Sequence, residues 1–247
     1  MLRTIWVLIV VVVVTLPLAT ATLLIAAIRS TSPWIDRITR TWGRLLVAAA
    51  GIELRTENMD VLQPGQRYVL IANHSSYFDV PCLFAAIPQP IRFMAKASLF
   101  RIPFFGWAIG RAGFIPVDRK NRRTAVKSFE LAADRIRKGN TIVVFPEEGR
   151  SRERTMKPFQ RGAFLLAMKS EQPIVPLAIQ GTYDVYSANA RWIRAGVVTV
   201  KAGTPIATAG LSLRDKDTLL TQSRAQIEAM LSGRPADPAP SASAPPA

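Results

Sequence analysis

Hydrophobic and polar positions divide the chain into one uninterrupted apolar run, one stretch with helical periodicity, and then an alternation of short apolar runs with longer helical segments. Residues 5–28, IWVLIVVVVVTLPLATATLLIAAI, carry no charge over 24 positions. At about 1.5 Å per residue such a helix is roughly 36 Å long, enough to match a hydrocarbon core of about 30 Å. Pro17 in its middle predicts a kink. A rival reading is a cleaved signal, because Arg3, the apolar stretch and Ala19-Thr20-Ala21 resemble the parts of a secretory leader. The run continues seven residues beyond Ala21, which favours an anchor. In residues 33–50, PWIDRITRTWGRLLVAAA, the helical spacing puts Trp34, Ile38, Trp42, Leu45, Leu46 and Ala49 on one stripe and Arg37, Arg40 and Arg44 on another face. Tryptophan on the apolar side and arginine on the polar side predict an interfacial helix lying flat on a bilayer, with an amphipathic core helix as the alternative.

From Leu54 onward the period switches repeatedly. RYVLIAN (67–73), IRFMAK (91–96), AGFIPVD (112–118), TIVVFPE (141–147), PIVPLAIQG (173–181) and GVVTVKAG (196–203) are predicted strands. Val126, Phe129, Ala133 and Ile136 predict a helix over 121–138, capped by Asn121 and stopped by Gly139. Further helices are predicted over 158–170 and 213–231. The alternation predicts an α/β fold, a mixed sheet flanked by helices, with the two N-terminal helices as a membrane-embedded or interfacial anchor. The expected organisation is an anchor over 1–50, one α/β domain over 51–232, and a disordered Pro/Ala/Ser-rich tail over 233–247. No internal repeat interrupts this pattern.

Composition narrows the partners. The chain has 32 Lys and Arg against 17 Asp and Glu, a formal charge of +15. Such a charge calls for nucleic acid, an anionic membrane surface or phosphorylated substrates. The apolar N-terminus selects the membrane, and no nucleic-acid partner is expected. Arg29, Arg37, Arg40 and Arg44 follow the apolar run, whereas Arg3 and the amino terminus precede it. That asymmetry predicts an inner (cytoplasmic) membrane location with the bulk of the chain facing the cytoplasm. A single cysteine, Cys82, excludes an intramolecular disulfide. With one histidine besides, the common zinc signatures are absent, so no metal is expected.

That one histidine, His74, lies in ANHSSYFDV (72–80), five positions before Asp79. On a regular helix five residues turn through about 140°, so the two side chains meet only if His74 sits on a strand-exit loop and a helix begins near Asp79. A carboxylate on one ring nitrogen fixes the tautomer and leaves the other nitrogen free to take a proton. No G-x-S-x-G elbow supplies a nucleophile, so in a catalytic reading the activated hydroxyl belongs to the substrate. On spacing alone, a structural histidine is the competing account. FPEEGRSR (145–152) follows an apolar strand, and its Glu147, Gly149, Arg150, Ser151 and Arg152 join a permissive backbone to two guanidinium forks suited to phosphate. GFIPVDR (113–119) ends in Arg119, the start of a basic run. IVPLAI (174–179) is an apolar strand with an internal proline, a pattern of edges and bulges. Each of these has a plain structural reading as a solvated turn, helix start or strand.

Taken in order, the four segments resemble the sequence blocks of the glycerolipid acyltransferase family, in particular its 1-acyl-glycerol-3-phosphate acyltransferases: N-H-x4-D, G-x5-R, F-P-E-G-T-R-S and V-P-[IVL]-x-[IV]. The likeness covers roughly residues 45–205. It implies that His74 is the general base and Asp79 its orienting partner, and that Arg119, Glu147, Gly149, Arg150 and Ser151 belong to the acceptor's phosphate site. It further implies acyl transfer from acyl-CoA or acyl carrier protein to lysophosphatidate, with no cofactor beyond the thioester co-substrate, and N-terminal helices that dip into one leaflet. Glycerol 3-phosphate, another lysophospholipid and a lyso-aminolipid are the alternative acceptors. A non-enzymatic basic membrane-binding protein is the remote alternative. One departure stands out: the family's Gly-Thr after the glutamate is Glu148-Gly149 here. Gln160 also stands where many relatives carry lysine, with Arg161 beside it.

Overall fold

The valine- and isoleucine-rich runs become the centre of one seven-stranded sheet. The structure, a computed structural model, describes residues 1–118, 122–137 and 139–233. In chain order the elements are α1 (Leu2–Ile28), α2 (Pro33–Ala49), β1 (Ile52–Glu57), β2 (Val69–Ala72), α3 (Asp79–Ala86), β3 (Ile91–Lys96), α4 (Phe105–Arg111), β4 (Ile115–Val117), α5 (Arg122–Arg137), β5 (Thr141–Val144), α6 (Gly162–Ser170), β6 (Ile174–Gln180), α7 (Thr182–Tyr186), β7 (Gly196–Ala202) and α8 (Lys216–Ser232). The strand order is β1-β7-β6-β2-β5-β3-β4. Among the strands of the described residues, β6 and β7 pair antiparallel and the other neighbours parallel, so the sheet is mixed as expected. All four residues of β2 and of β5 are buried, because helices cover both faces of these parallel strands.

Alternation along the strands sorts the core into two layers. Leu70, Phe93, Val143, Phe145, Val175 and Leu177 pack on the side of α1, α2 and α3. Val69, Ile71, Ile142 and Ile174 pack on the side of α5, α6 and α8. The predicted strand over 174–179 is corrected in one respect. Its proline suggested an edge, yet β6 lies inside the sheet between β7 and β2. Pro176 fits because the β6–β7 ladder starts at Leu177, and Pro176 contributes only its carbonyl, which accepts from Gly203 N at 2.8 Å. The missing N–H thus faces beyond the end of β7. The expected N-cap Asn121 and the tail residues 234–247 lie outside the described residues.

α1 runs unbroken through Pro17 and is, among the described residues, the one helix long and apolar enough to cross a membrane. It packs on the rest of the chain from end to end. Thr4 Oγ1 accepts from Ile193 N, Arg3 donates to Ala50 O, and Trp42 Nε1 donates to Thr15 Oγ1. Val7, Ala19, Thr22 and Ala26 are buried, while Ile5, Trp6, Ile9, Val12, Val13 and Leu16 on the outer side are exposed. The exposed face is therefore the more apolar one, the reverse of a water-facing helix. On α2 the expected apolar stripe is divided between a buried and an exposed part. Its buried residues are Ile35, Gly43, Leu46 and Val47, and Trp34 and Leu45 are exposed. The reason is close packing on α3: a Cβ on Gly43 would stand 2.7 Å from both Phe84 Cβ and Pro81 O. Asp36 adds an ion pair to the buried Arg92 at 2.7 Å.

Candidate active site

β2 delivers the histidine loop to the carboxyl end of the sheet, where parallel strands leave their loops free to build sites. Asn73 holds the exit in line. Its amide donates to Ile179 O at 3.0 Å and its carbonyl accepts from Ile179 N at 2.7 Å, continuing the β2–β6 pairing with a side chain. Ser76, fully buried, donates to Tyr186 O and accepts from Phe78 N, which turns the chain into α3. Asp79 is the first residue of that helix, so the loop expected between His74 and Asp79 is present and the five-residue gap brings them together.

His74 Nδ1 lies 2.7 Å from Asp79 Oδ2. The same oxygen accepts the backbone N–H groups of Ser75 and Ser76, each at 2.8 Å. Three donors thus converge on one carboxylate oxygen at a helix N-terminus, an environment that holds negative charge. With Asp79 as acceptor, Nδ1 carries the proton and Nε2 presents its lone pair. The imidazole is 15 % exposed and stacks on Phe145, with ring centroids 4.1 Å apart and planes 16° apart. One edge faces the buried carboxylate, one face is covered, and Nε2 remains to act as a base. Cys82, one turn further along α3, is not a rival nucleophile: burial first, then the nearby Asp79 charge, push its thiol far above the usual range.

The FPEEGRS segment wraps around the histidine's backbone. Glu147 is buried, and its two oxygens accept from His74 N at 2.7 Å and Lys157 N at 2.8 Å. Ser151 N donates to His74 O at 2.8 Å. The peptide groups on both sides of His74 are therefore fixed by this one loop. Burial pushes the Glu147 carboxyl up, and the two backbone donors work against that rise. The Ser151 hydroxyl closes the loop on Thr155 O at 2.7 Å and accepts from Glu153 N. The hydrogen bonds of both side chains thus go to backbone groups, and both residues also line the polar cleft beside His74.

Arg150 is different. Its guanidinium lies over the Tyr77 ring, 3.5 Å from the centroid, and Nε is buried without a hydrogen-bond partner. Among the described residues no carboxylate pairs with it. Tyr77 belongs to the His74–Asp79 loop, so this charge is held against that loop. Arg119, assigned to the same phosphate site, lies outside the described residues. Gly149 is half-buried and is not in the left-handed region. Glu148 is, at φ 54°, with an exposed side chain. The shift from Gly-Thr to Glu-Gly thus places a glutamate where the turn calls for glycine. Sequence reasoning missed Tyr77, Phe145 and Asn73 as site residues. An aromatic inside the H-x4-D block and another opening the F-P-E block were the available signals.

The histidine lines one cavity, and a second lies beyond its aromatic neighbours. A polar cleft of about 490 Å³ runs along His74, Ser75, Glu147, Arg154, Tyr183 and Asp184. An entirely apolar cavity of about 140 Å³ lies between α1, α2 and α4, walled by Leu18, Trp42, Phe84, Phe93, Ile109 and Phe114. Phe93 also stacks on Phe145, so an aromatic column joins that cavity to the imidazole.

Comparison with known proteins agrees with the geometry. A family model described as Acyltransferase matches residues 53–180, just over half of the chain. The 1-acyl-sn-glycerol-3-phosphate acyltransferase of Saccharomyces cerevisiae is 35% identical over 152 residues, 60% of this chain and 50% of its own length. The alpha form from Homo sapiens is 31% identical over 175 residues, 70% of this chain and 62% of its own. A chloroplastic relative from Brassica napus is 34% identical over 114 residues, 46% of this chain and 33% of its own. The chain spans between a third and about three-fifths of the length of these relatives. Among solved structures, the 1-acyl-sn-glycerophosphate acyltransferase PlsC of Thermotoga maritima superposes with a TM-score of 0.81 at 20% identity, covering 94% of each chain.

Proposed function

The chain belongs to the acyltransferase family, and from that premise we propose that it transfers an acyl group from a thioester, acyl-CoA or acyl carrier protein, to the sn-2 hydroxyl of 1-acyl-glycerol-3-phosphate, giving phosphatidic acid. The observation that carries this reading is the His74 Nδ1–Asp79 Oδ2 contact of 2.7 Å, which leaves Nε2 as the base. Nε2 takes the acceptor's hydroxyl proton and the oxygen attacks the thioester carbonyl carbon. The tetrahedral intermediate then collapses with loss of the C–S bond, and the imidazolium returns its proton to the departing thiolate. Asp79 holds the ring in place and stabilises the imidazolium. Arg150, stacked on Tyr77 and without a carboxylate partner among the described residues, is suited to the acceptor's phosphate. The apolar cavity behind Phe145 and Phe93, similar in size to cavities that hold benzene, is suited to part of a hydrocarbon chain.

The relatives named for this activity support the acceptor, and the exposed apolar face of α1 supports a membrane site for the reaction. In this reading the enzyme lies on the inner membrane with its sheet domain in the cytoplasm, where the arginines after α1 meet anionic headgroups. One observation favours a second acceptor. Glu148 puts a negative charge two residues from Arg150, which would suit a lysolipid that also carries an amine. The test is a mass-spectrometric assay of the purified full chain with mixed acyl donors and lyso-acceptors. Phosphatidate as the main product supports the first reading, an acylated aminolipid supports the second, and no acylated product with any pair refutes both.

A further inference from the structure

The segment between β3 and α4 supplies Leu99 to the apolar cavity, yet its tip lies outside that cavity and its shape is unusual. Ala97–Arg101 forms a short 3-10 turn, Ile102–Phe104 makes a tip, and α4 returns. Phe104 has φ 58° and ψ −62°, and Phe105 N donates to Pro103 O at 2.6 Å. This is a γ-turn of the positive-φ kind, rare and strained for any residue with a side chain, and a true outlier for a bulky one. Strain of this kind persists where the surroundings enforce it. Here Gly106 packs so tightly on the preceding turn that a Cβ would stand 2.6 Å from Leu99 O. The strained turn buries nothing at its tip. Leu99, Ile102, Phe104 and Trp107 are all exposed, Trp107 at 53 % and Phe104 at 45 %, and the last two rings are in contact at 5.6 Å.

α4 packs against α1, so the exposed tip stands next to the apolar helix. Arg101 and Arg111 close the two ends of the segment. Exposed aromatic and aliphatic side chains bounded by arginines have the composition of an interfacial anchor. We propose that the Ile102–Trp107 tip is a third membrane-contacting element, inserting into the same bilayer as α1, with Arg101 and Arg111 at the level of anionic headgroups. The inference rests on the membrane reading of α1 given above, and it adds a contact from within the sheet domain that fixes how that domain sits on the lipid.

The test uses the full chain reconstituted in vesicles of phosphatidylcholine and phosphatidylglycerol, carrying nitroxide labels at single introduced cysteines. The native Cys82 is fully buried and stays unlabelled. Labels are placed through Ile102→Cys and Trp107→Cys at the tip, Ile9→Cys on the outer face of α1, and Leu131→Cys on α5, on the opposite side of the sheet. Collision with oxygen relative to a water-soluble nickel chelate reports depth. The proposal expects the labels at 102 and 107 to match the one at 9, with a several-fold higher ratio than the label at 131. A lipid-like label at 9 with water-like labels at 102 and 107 overturns the tip and leaves the membrane reading intact. Water-like values at all four positions overturn both.

Discussion

At His74 the decisive feature is what surrounds the ring, since neither the histidine nor its spacing to Asp79 is a site by itself. A carboxylate oxygen with three donors cannot turn away, so the tautomer with Nε2 unprotonated is built in. His74→Ala should lower acyl transfer by about 10²–10⁴-fold while vesicle binding is unchanged, because general-base catalysis is worth that range. Measured turnover near wild type would sink the mechanism. Glu147 separates positioning from ligand binding. Glu147→Gln keeps the size of the side chain, yet its amide nitrogen cannot accept from the N–H of His74 or Lys157. The expected outcome is a lower kcat with the acceptor KM unchanged; a raised KM with kcat intact would instead make Glu147 a phosphate ligand. The same pair reports on pH. Burial raises the Glu147 carboxyl above its ordinary 4.5, so the folded chain keeps a proton that the unfolded chain has already lost. As pH rises upward from 4.5 through that raised value, wild-type stability should fall relative to Glu147→Gln, measured by denaturant unfolding. Arg150→Ala should chiefly raise the acceptor KM. Tyr77→Ala should raise it several-fold less, since a cation–π contact is worth about 0.5–2 kcal/mol. The His–Asp pair was legible in the sequence because spacing constrains two side chains. The role of Glu147 was not, since its partners are backbone groups 73 and 10 positions away.

Elements were legible in proportion to how far packing, rather than local context, determines them. The runs at 91–96, 141–144 and 174–180 are strands because largely apolar runs suit a sheet covered on both faces, and 196–202 is one because buried Val198, Val200 and Ala202 alternate with more exposed residues. β1, IELRTE, escaped notice because only Ile52 of its six residues is buried, as befits an edge. α4 escaped because FGWAIGR contains two glycines and exposes its tryptophan. On α2 periodicity gave an apolar face but not which part of it meets α3, and the close approach at Gly43 sets that contact. Gly43→Ala should accordingly loosen the α2–α3 contact at a cost of about 1–3 kcal/mol, read by thermal unfolding. The turn at Glu148 argues in the other direction. Replacing it by glycine relieves a left-handed conformation worth about 1 kcal/mol, partly offset by a freer unfolded chain. Glu148→Gly should therefore leave stability equal or higher. A loss of stability would mean that the exposed glutamate makes a contact that supports the loop.

For the molecule as a whole, two independent attractions to a lipid surface are present, and they respond differently to salt. The net charge of +15 draws the chain toward anionic headgroups and toward small anionic molecules. The exposed apolar side of α1 does not depend on charge. Raising ionic strength from 0.1 M to 1 M shortens the Debye length from about 10 Å to about 3 Å and removes the first attraction but not the second. Flotation with anionic vesicles should therefore weaken with salt and then level off, whereas flotation with neutral phosphatidylcholine vesicles should be lower and nearly salt-independent. Over the same range the KM for an anionic acceptor should rise while kcat stays level, because the His74–Asp79 contact is enclosed by protein and poorly screened. Complete release from anionic vesicles at 1 M salt would show that α1 does not engage the hydrocarbon, and charge alone would then hold the chain to the lipid surface.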